Sequence, residues 1–234
     1  FYGNLIASIK SLAVTGDIDK IISINILGAT PVEKSHLYLP LSSSSGLGTY
    51  NYVTFKSYGT EQQAKKKSAG KLSISIEALV KDICEVSLVM DPATGDAINA
   101  SGNGTLRIEM PANNDMRMSG IYTIKEGDYT FTLKQLAFKR NFKLNEGSKI
   151  YFNGPIDQTQ LDVTGKYTTK ARLYDLLNAG EKNLIVGNKR EETEANARQD
   201  VNILLFMKGS MGTPKLTFQL DLPSNSSIGT VGYS

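Results

Sequence analysis

Alternation with a period of two limits what this chain can become more than any other feature. The run from Leu161 to Leu177 shows it best. Leu161, Val163, Gly165, Tyr167, Thr169, Ala171 and Leu173 occupy the odd positions, and Asp162, Thr164, Lys166, Thr168, Lys170 and Arg172 the even ones. Successive side chains of a strand point to opposite faces, so this segment carries one apolar and one charged face. At roughly 3.3 Å per residue it would span about 40 Å, against the five or six residues of an ordinary strand.

The same period recurs along the chain. Leu72, Ile74, Ile76 and Ala78 share a face, as do Cys84, Val86, Leu88 and Met90, and Leu106, Ile108 and Met110. Met116, Met118, Gly120, Tyr122 and Ile124 align, and so do Leu216, Phe218, Leu220 and Leu222. Residues 201–207 are apolar on both faces in their middle, which predicts a strand covered on both sides or placed at a turn of the sheet. Turn-forming stretches separate the runs: DPATGD, SGNG, PANND, KEGD, NEGS and NGPID. Asn-Gly at 103–104 and 153–154, and Glu-Gly at 126–127 and 146–147, suit tight hairpins. The pattern predicts about twelve to fourteen antiparallel strands in a meander.

Two segments lack the alternation. Residues 57–71 are polar and basic and read as a flexible connection. Residues 178–200 are charged and read as a mobile excursion, with a helical turn around Glu191 to Arg198. Neither marks a boundary, so residues 1–234 are read as one domain. The chain opens on Phe1, shows no signal peptide and has no apolar run of membrane-spanning length, which reads as a piece of a longer protein.

Residue types that carry chemistry are scarce. A lone cysteine, Cys84, excludes an internal disulfide and sits at an inward-looking strand position. The single histidine, His36, has no second histidine or nearby cysteine with which to hold a metal. SGNGTLRI is no phosphate loop, because neither a helix nor a Lys-Ser/Thr pair follows its glycines. SSSSGLGTYNY has no nucleophile elbow and no later histidine to act as base. A net charge of +3, without aromatics interleaved with arginine, does not fit a nucleic-acid partner. The expectation is a protein without catalytic residues, metal or cofactor.

What remains is surface. A sheet whose strands each have an apolar face must hide that face. A second sheet could cover it, a closed barrel could enclose it or turn it toward lipid, or one sheet could roll into an open trough. Methionines, threonines and glycines mixed into the apolar faces suit an adaptable lining.

Three blocks carry a family resemblance: HLYLPLSSSSGLGTYNYVTF, EVSLVMDPATGDAINASGNGTLRIEM, and the long run from Gly120 to Leu177. Within the last, Gly127, Tyr129, Phe131 and Leu133 are followed by Lys139, Phe142, Leu144, Gly147, Ser148, Ile150, Phe152 and Gly154. Leu161, Asp162, Val163 and Tyr167 complete the order, and GTPKLTFQLDLPS resembles a final strand with a Leu-Pro end. Together these resemble the C-terminal domain of TamB-type proteins, from about Gly3 to Ser224. The family's frequent Gly-Asp-Pro turn is replaced here by Gly154-Pro155.

The resemblance implies an AsmA-like envelope protein of a diderm bacterium. Its parent chain would be anchored in the inner membrane by an N-terminal helix, would cross the periplasm and would reach the outer membrane. It implies a fold like that of bridge-type lipid-transfer proteins, a long curved antiparallel sheet rolled into a taco-like trough with an apolar concave face. Its implied roles are phospholipid transport between the membranes, or assembly and secretion of outer-membrane β-barrel proteins with a TamA/BamA-type barrel partner. On the lipid reading, phospholipid acyl chains would lie against Leu72, Ile74, Ile76, Val86, Leu88, Met90, Leu106, Ile108, Met116 and Met118. The lining would continue through Tyr129, Phe131, Leu133, Ile150, Phe152, Leu161, Val163, Tyr167, Ala171, Leu216, Phe218 and Leu220.

Overall fold

The computed structural model describes residues 2–4, 6–17, 20–40, 72–112, 115–133, 138–176, 182 and 186–221. Among them, fourteen strands join one sheet. In chain order they are β1 (Tyr2–Asn4), β2 (Ala7–Ser8), β3 (Ser11–Thr15), β4 (Ile22–Pro31), β5 (Ser35–Pro40), β6 (Leu72–Val80) and β7 (Cys84–Asp91). They continue with β8 (Asp96–Met110), β9 (Arg117–Leu133), β10 (Phe138–Leu144), β11 (Lys149–Pro155), β12 (Gln160–Arg172), β13 (Arg198–Ser210) and β14 (Lys215–Asp221). The all-β expectation holds.

The short strands combine into long ribs. β8 is 15 residues long; β7 pairs with its first half and β6 with its second. β9, at 17 residues, pairs with β8 on one side and with β11 and β10 on the other. β12 and β13 pair along 13 residues each. One departure from the expected antiparallel sheet stands out. β4 runs parallel to β6, and β5 parallel to β7. A parallel pair needs a crossover, which no tight turn supplies. The chain returns through residues 41–71, which lie outside the described residues, as does the flexibility expected for 57–71.

Several expected hairpins are not turns. Asn103-Gly104 lies inside β8, Glu126-Gly127 inside β9 and Asn153-Gly154 inside β11. Glu146-Gly147 does interrupt the chain, between β10 and β11. Asn153-Gly154 stands apart, opposite Ser119 and Met118, but the breaks between strands line up across the sheet as a crease. The break at 81–83 is bridged by the continuous β8 and that at 145–148 by β9 and β12, while the break at 32–34 lies beside that at 81–83. In β9 the register passes from Glu126↔Ser101 to Ile124↔Gly102, leaving Lys125 as a bulge residue. Its ammonium reaches Asp82 in the 81–83 break at 2.6 Å. That pairing holds the Asp82 carboxyl below its ordinary value, chiefly through the hydrogen bond from Lys125 and then through its charge. At the β10–β11 break, Ser148 Oγ accepts from Thr164 N, Gly147 N donates to Ile124 O and Asn145 N donates to Thr164 O.

The bulge has a consequence for the core. It lets Tyr122 and Ile124, at even positions, face the same side as Tyr129, at an odd one; all three are buried. One core cluster then runs from Leu37 and Leu39 through β7, β8, β9 and β10–β11 to Leu161, Val163, Leu205 and Met207. Gly120, at φ +127° in β9, permits close approach to β8, where a Cβ would meet the Thr105 carbonyl.

The sheet is strongly curled. β9 and β14 are four neighbours apart in strand order, about 19 Å in a flat sheet. Yet the rings of Phe131 on β9 and Phe218 on β14 stand 5.7 Å apart, and Phe142 on β10 stands 6.0 Å from Phe218. The two flanks therefore bend toward each other over the apolar face.

Beyond Arg172 the alternation ends in a helical turn, α1 (Leu173–Leu176). Within the charged segment, the helical turn expected around Glu191 to Arg198 is α2 (Lys189–Asn196), capped by Asn188, whose side chain accepts from Arg190 N. Residues 177–181 and 183–185 of the expected excursion lie outside the described residues. Ala195 of α2 is buried, and by Arg198 the chain is already in β13. On the outer face of β13, Leu204 and Phe206 are only half-buried, so this strand is not fully covered on both sides.

Candidate functional site: the apolar inner face and its open end

Cross-strand register carries the inner face from strand to strand. Val14 stands opposite Ile24, Ile24 beside Ile74, and Ile74 opposite Met110. One step along, Leu12, Ile26, Ile76, Ile108 and Met118 form a second such row. Directly opposed residues share a face, so five strands present one continuous apolar surface.

Exposure along this surface is graded. Leu12 and Val14 on β3 are 56% and 60% exposed, and Leu72 on β6 is 45% exposed. Ile22, Ile24, Ile26, Ile74, Ile76, Met110 and Met116 are half-buried. Ile108, Met118, Ala78 and Val80 are buried. Burial thus deepens along β6 from Leu72 to Val80, and across the sheet from β3 to β9. Among the described residues the inner face is buried over its middle and most exposed at the end carried by β3, β4 and the start of β6.

Most of the expected lining residues share this face. Val86, Leu88, Leu106, Ile108, Met118, Tyr129, Ile150, Phe152, Leu161 and Val163 are buried and belong to the core. Ile76, Met90, Met116, Phe131, Tyr167 and Leu216 pack against it while half-buried. Ile74, Ala171 and Leu220 are half-buried, and Leu72 and Phe218 are exposed. The side chain of Leu133 lies outside the described residues. The alternation read in Leu72, Ile74 and Ile76 thus reaches the open end, whereas their neighbours Leu12, Val14, Ile22, Ile24 and Ile26 were missed. Ile22, Ile24 and Ile26 alternate with Ser23 and Asn25 as plainly as any other run, so the signal was there.

A second partly open zone lies at the opposite end of the ribs. Tyr129, Phe131, Phe142, Tyr167 and Phe218 form a chain of tilted ring contacts between 5.7 and 6.3 Å. The Arg140 guanidinium sits 5.7 Å from the Tyr167 ring centroid.

The polar groups of the opposite face make a ladder. His36 Nε2 lies 2.7 Å from Ser87 Oγ, which donates to Asn99 Oδ1 at 2.6 Å. Ser87 is buried and its proton points to Asn99, so in this arrangement the imidazole donates to the hydroxyl. This ties β5, β7 and β8 together. Burial raises the Cys84 thiol above its ordinary value, with the Glu85 charge adding to it, which disfavours the thiolate.

Fold and face together define a class: a long-ribbed, curled β-sheet protein whose continuous feature is an apolar inner surface. The chain matches the TamB C-terminal domain over residues 11–228, nearly its whole length, and it belongs to that family. It is thus a module of a TamB-like bacterial envelope protein. No curated protein matches it. Among the described residues no helix is long and apolar enough to cross a membrane, which says nothing about strands.

Proposed function

We propose that this domain is a non-catalytic, periplasmic segment of an envelope-spanning protein, and that its inner face receives phospholipid acyl chains through the open end. The observation that supports the reading is the register-aligned row from Val14 and Leu12 to Met110 and Met118, apolar on five strands and still partly exposed. Burying a methylene is worth about 0.8 kcal/mol, so a sixteen-carbon chain would gain roughly 12 kcal/mol before ordering costs. Such a lining holds a chain without fixing it, because neighbouring apolar positions differ little in energy. Half-buried methionines at 110 and 116 suit a surface that adapts to its contents.

A second reading rests on the sheet edges. Among the described residues β14 pairs only with β13, so its outer edge is open to an added strand. That would suit an interaction module for outer-membrane β-barrel assembly or secretion with a TamA-type partner. A photo-crosslinker placed in the full-length parent separates the two. Capture of phospholipid at Ile74 supports the lipid reading. Capture of barrel protein at Lys215 on β14, with none of lipid at Ile74, replaces it with the second.

A further inference from the structure

The outer face of β10, β12 and β13 carries a feature that lipid held on the inner face does not use. Lys143 on β10 stands directly opposite Lys166 on β12, and Lys166 stands opposite Leu204 on β13. Lys139 and Lys170 lie on the same outer face, each four residues along its strand from this pair. Like charges placed opposite each other destabilise a sheet. None of the four lysines forms an ion pair among the described residues. Asp128 and Asp200 stand opposite Lys143 and Lys170 without closing to ion-pair distance. The other nearby carboxylates are engaged: Asp162 with Lys208 at 3.5 Å, and Asp221 with Asn202 Nδ2 at 3.2 Å. Beside the lysines, Leu204 and Phe206 turn outward and remain half-buried, where a face meant only for water would carry polar groups.

We propose that this outer patch is a docking surface for an anionic lipid bilayer. Unpaired lysines would meet the headgroup charge, and Leu204 and Phe206 would enter the headgroup–acyl boundary. Charge complementarity favours this occupant, because the patch joins cationic side chains to a small apolar insert. Docking here would lay the rib flank against the membrane while the inner face stays free.

The test is co-sedimentation of the 234-residue chain with vesicles of phosphatidylcholine alone, or of phosphatidylcholine mixed equally with phosphatidylglycerol. Binding is expected to the anionic vesicles only and to weaken with added salt. Each surface lysine contributes a factor of about five, so Lys143→Gln/Lys166→Gln should weaken binding roughly thirtyfold. Leu204→Ser/Phe206→Ser should weaken it as well, while Lys10→Gln/Lys34→Gln, on the far flank, should leave it unchanged. All variants are first matched to the parent by circular dichroism. No binding to anionic vesicles, equal binding to both kinds, or binding indifferent to Lys143 and Lys166 overturns the proposal. If binding is lost instead with Leu72→Arg, the membrane is met through the open end of the inner face. Capture of a protein in place of vesicles at this patch likewise overturns the lipid assignment.

Discussion

Tyr122 shows how tightly the middle of the inner face is closed. Its ring is fully buried, and its hydroxyl donates to Ala100 O at 3.1 Å, with Cys84 O at 3.5 Å. Burial pushes its phenol well above the ordinary value, and burial with the Asp96 charge does the same for Tyr129. Both folded-state values are raised, so their contribution to stability is full below the unfolded value near pH 10 and is lost as pH rises through the folded ones. Alkaline titration should therefore show these phenolates appearing only as the near-UV dichroism collapses. Their ionisation with the dichroism intact would contradict the closed core. Tyr122→Phe should cost about 1 kcal/mol in denaturant unfolding at neutral pH. Val163 and Thr164 make a sharper contrast. Val163 is buried and Thr164 lies on the outer face opposite Phe206. Val163→Arg places an unpaired guanidinium in the core and should remove several kcal/mol of stability. Thr164→Arg should stay within about 1 kcal/mol of the parent. Similar denaturation midpoints for the two would show that this face is not packed.

At the scale of the strand, the bulge at Lys125 makes a prediction that plain alternation does not. Ile124 faces in, Lys125 and Glu126 both face out, and Tyr129 faces in again. Deleting Lys125 restores simple alternation without moving any inward residue, so the chain should still fold with a modest loss of stability. Deleting Thr123 would turn Ile124 outward and draw Lys125 into the core, and should abolish the cooperative thermal transition. Equal melting of the two deletions would refute the assigned crease. The same element shows where sequence reading stopped. Faces within each run were legible, because Leu161 and Val163 or Val86 and Leu88 obey a period of two. The joining of Tyr122 and Tyr129 into one strand was not. Lys-Glu-Gly-Asp has the composition of a turn, and only the pairing of β8 along both halves shows that it bends a strand. Ser101-Gly102-Asn103-Gly104 misled for the same reason: glycines that allow close approach of β9 look like glycines that reverse the chain. The parallel pairing of β4 with β6 is set by contacts across residues 41–71, which no local pattern encodes.

The whole molecule joins two properties that compete in an ordinary sheet protein. Curling brings Phe131 and Phe218 together and closes a core from β5 to β13, while the β3–β4–β6 end of the same face stays accessible. A spacer would need only the closed part; a lipid-carrying rib needs the open end as well. Alternation made the face legible in the sequence, but which end opens depends on how far the sheet curls, a property of all its strands together. The most direct measurement is native mass spectrometry of the chain purified from bacterial cells, beside a folded Leu72→Arg/Ile74→Arg variant. Both substitutions lie at the accessible end, so the variant should keep the parent's melting behaviour. The account predicts phospholipid bound to the parent and absent from the variant. A parent free of lipid, or a variant carrying as much lipid as the parent, would contradict it.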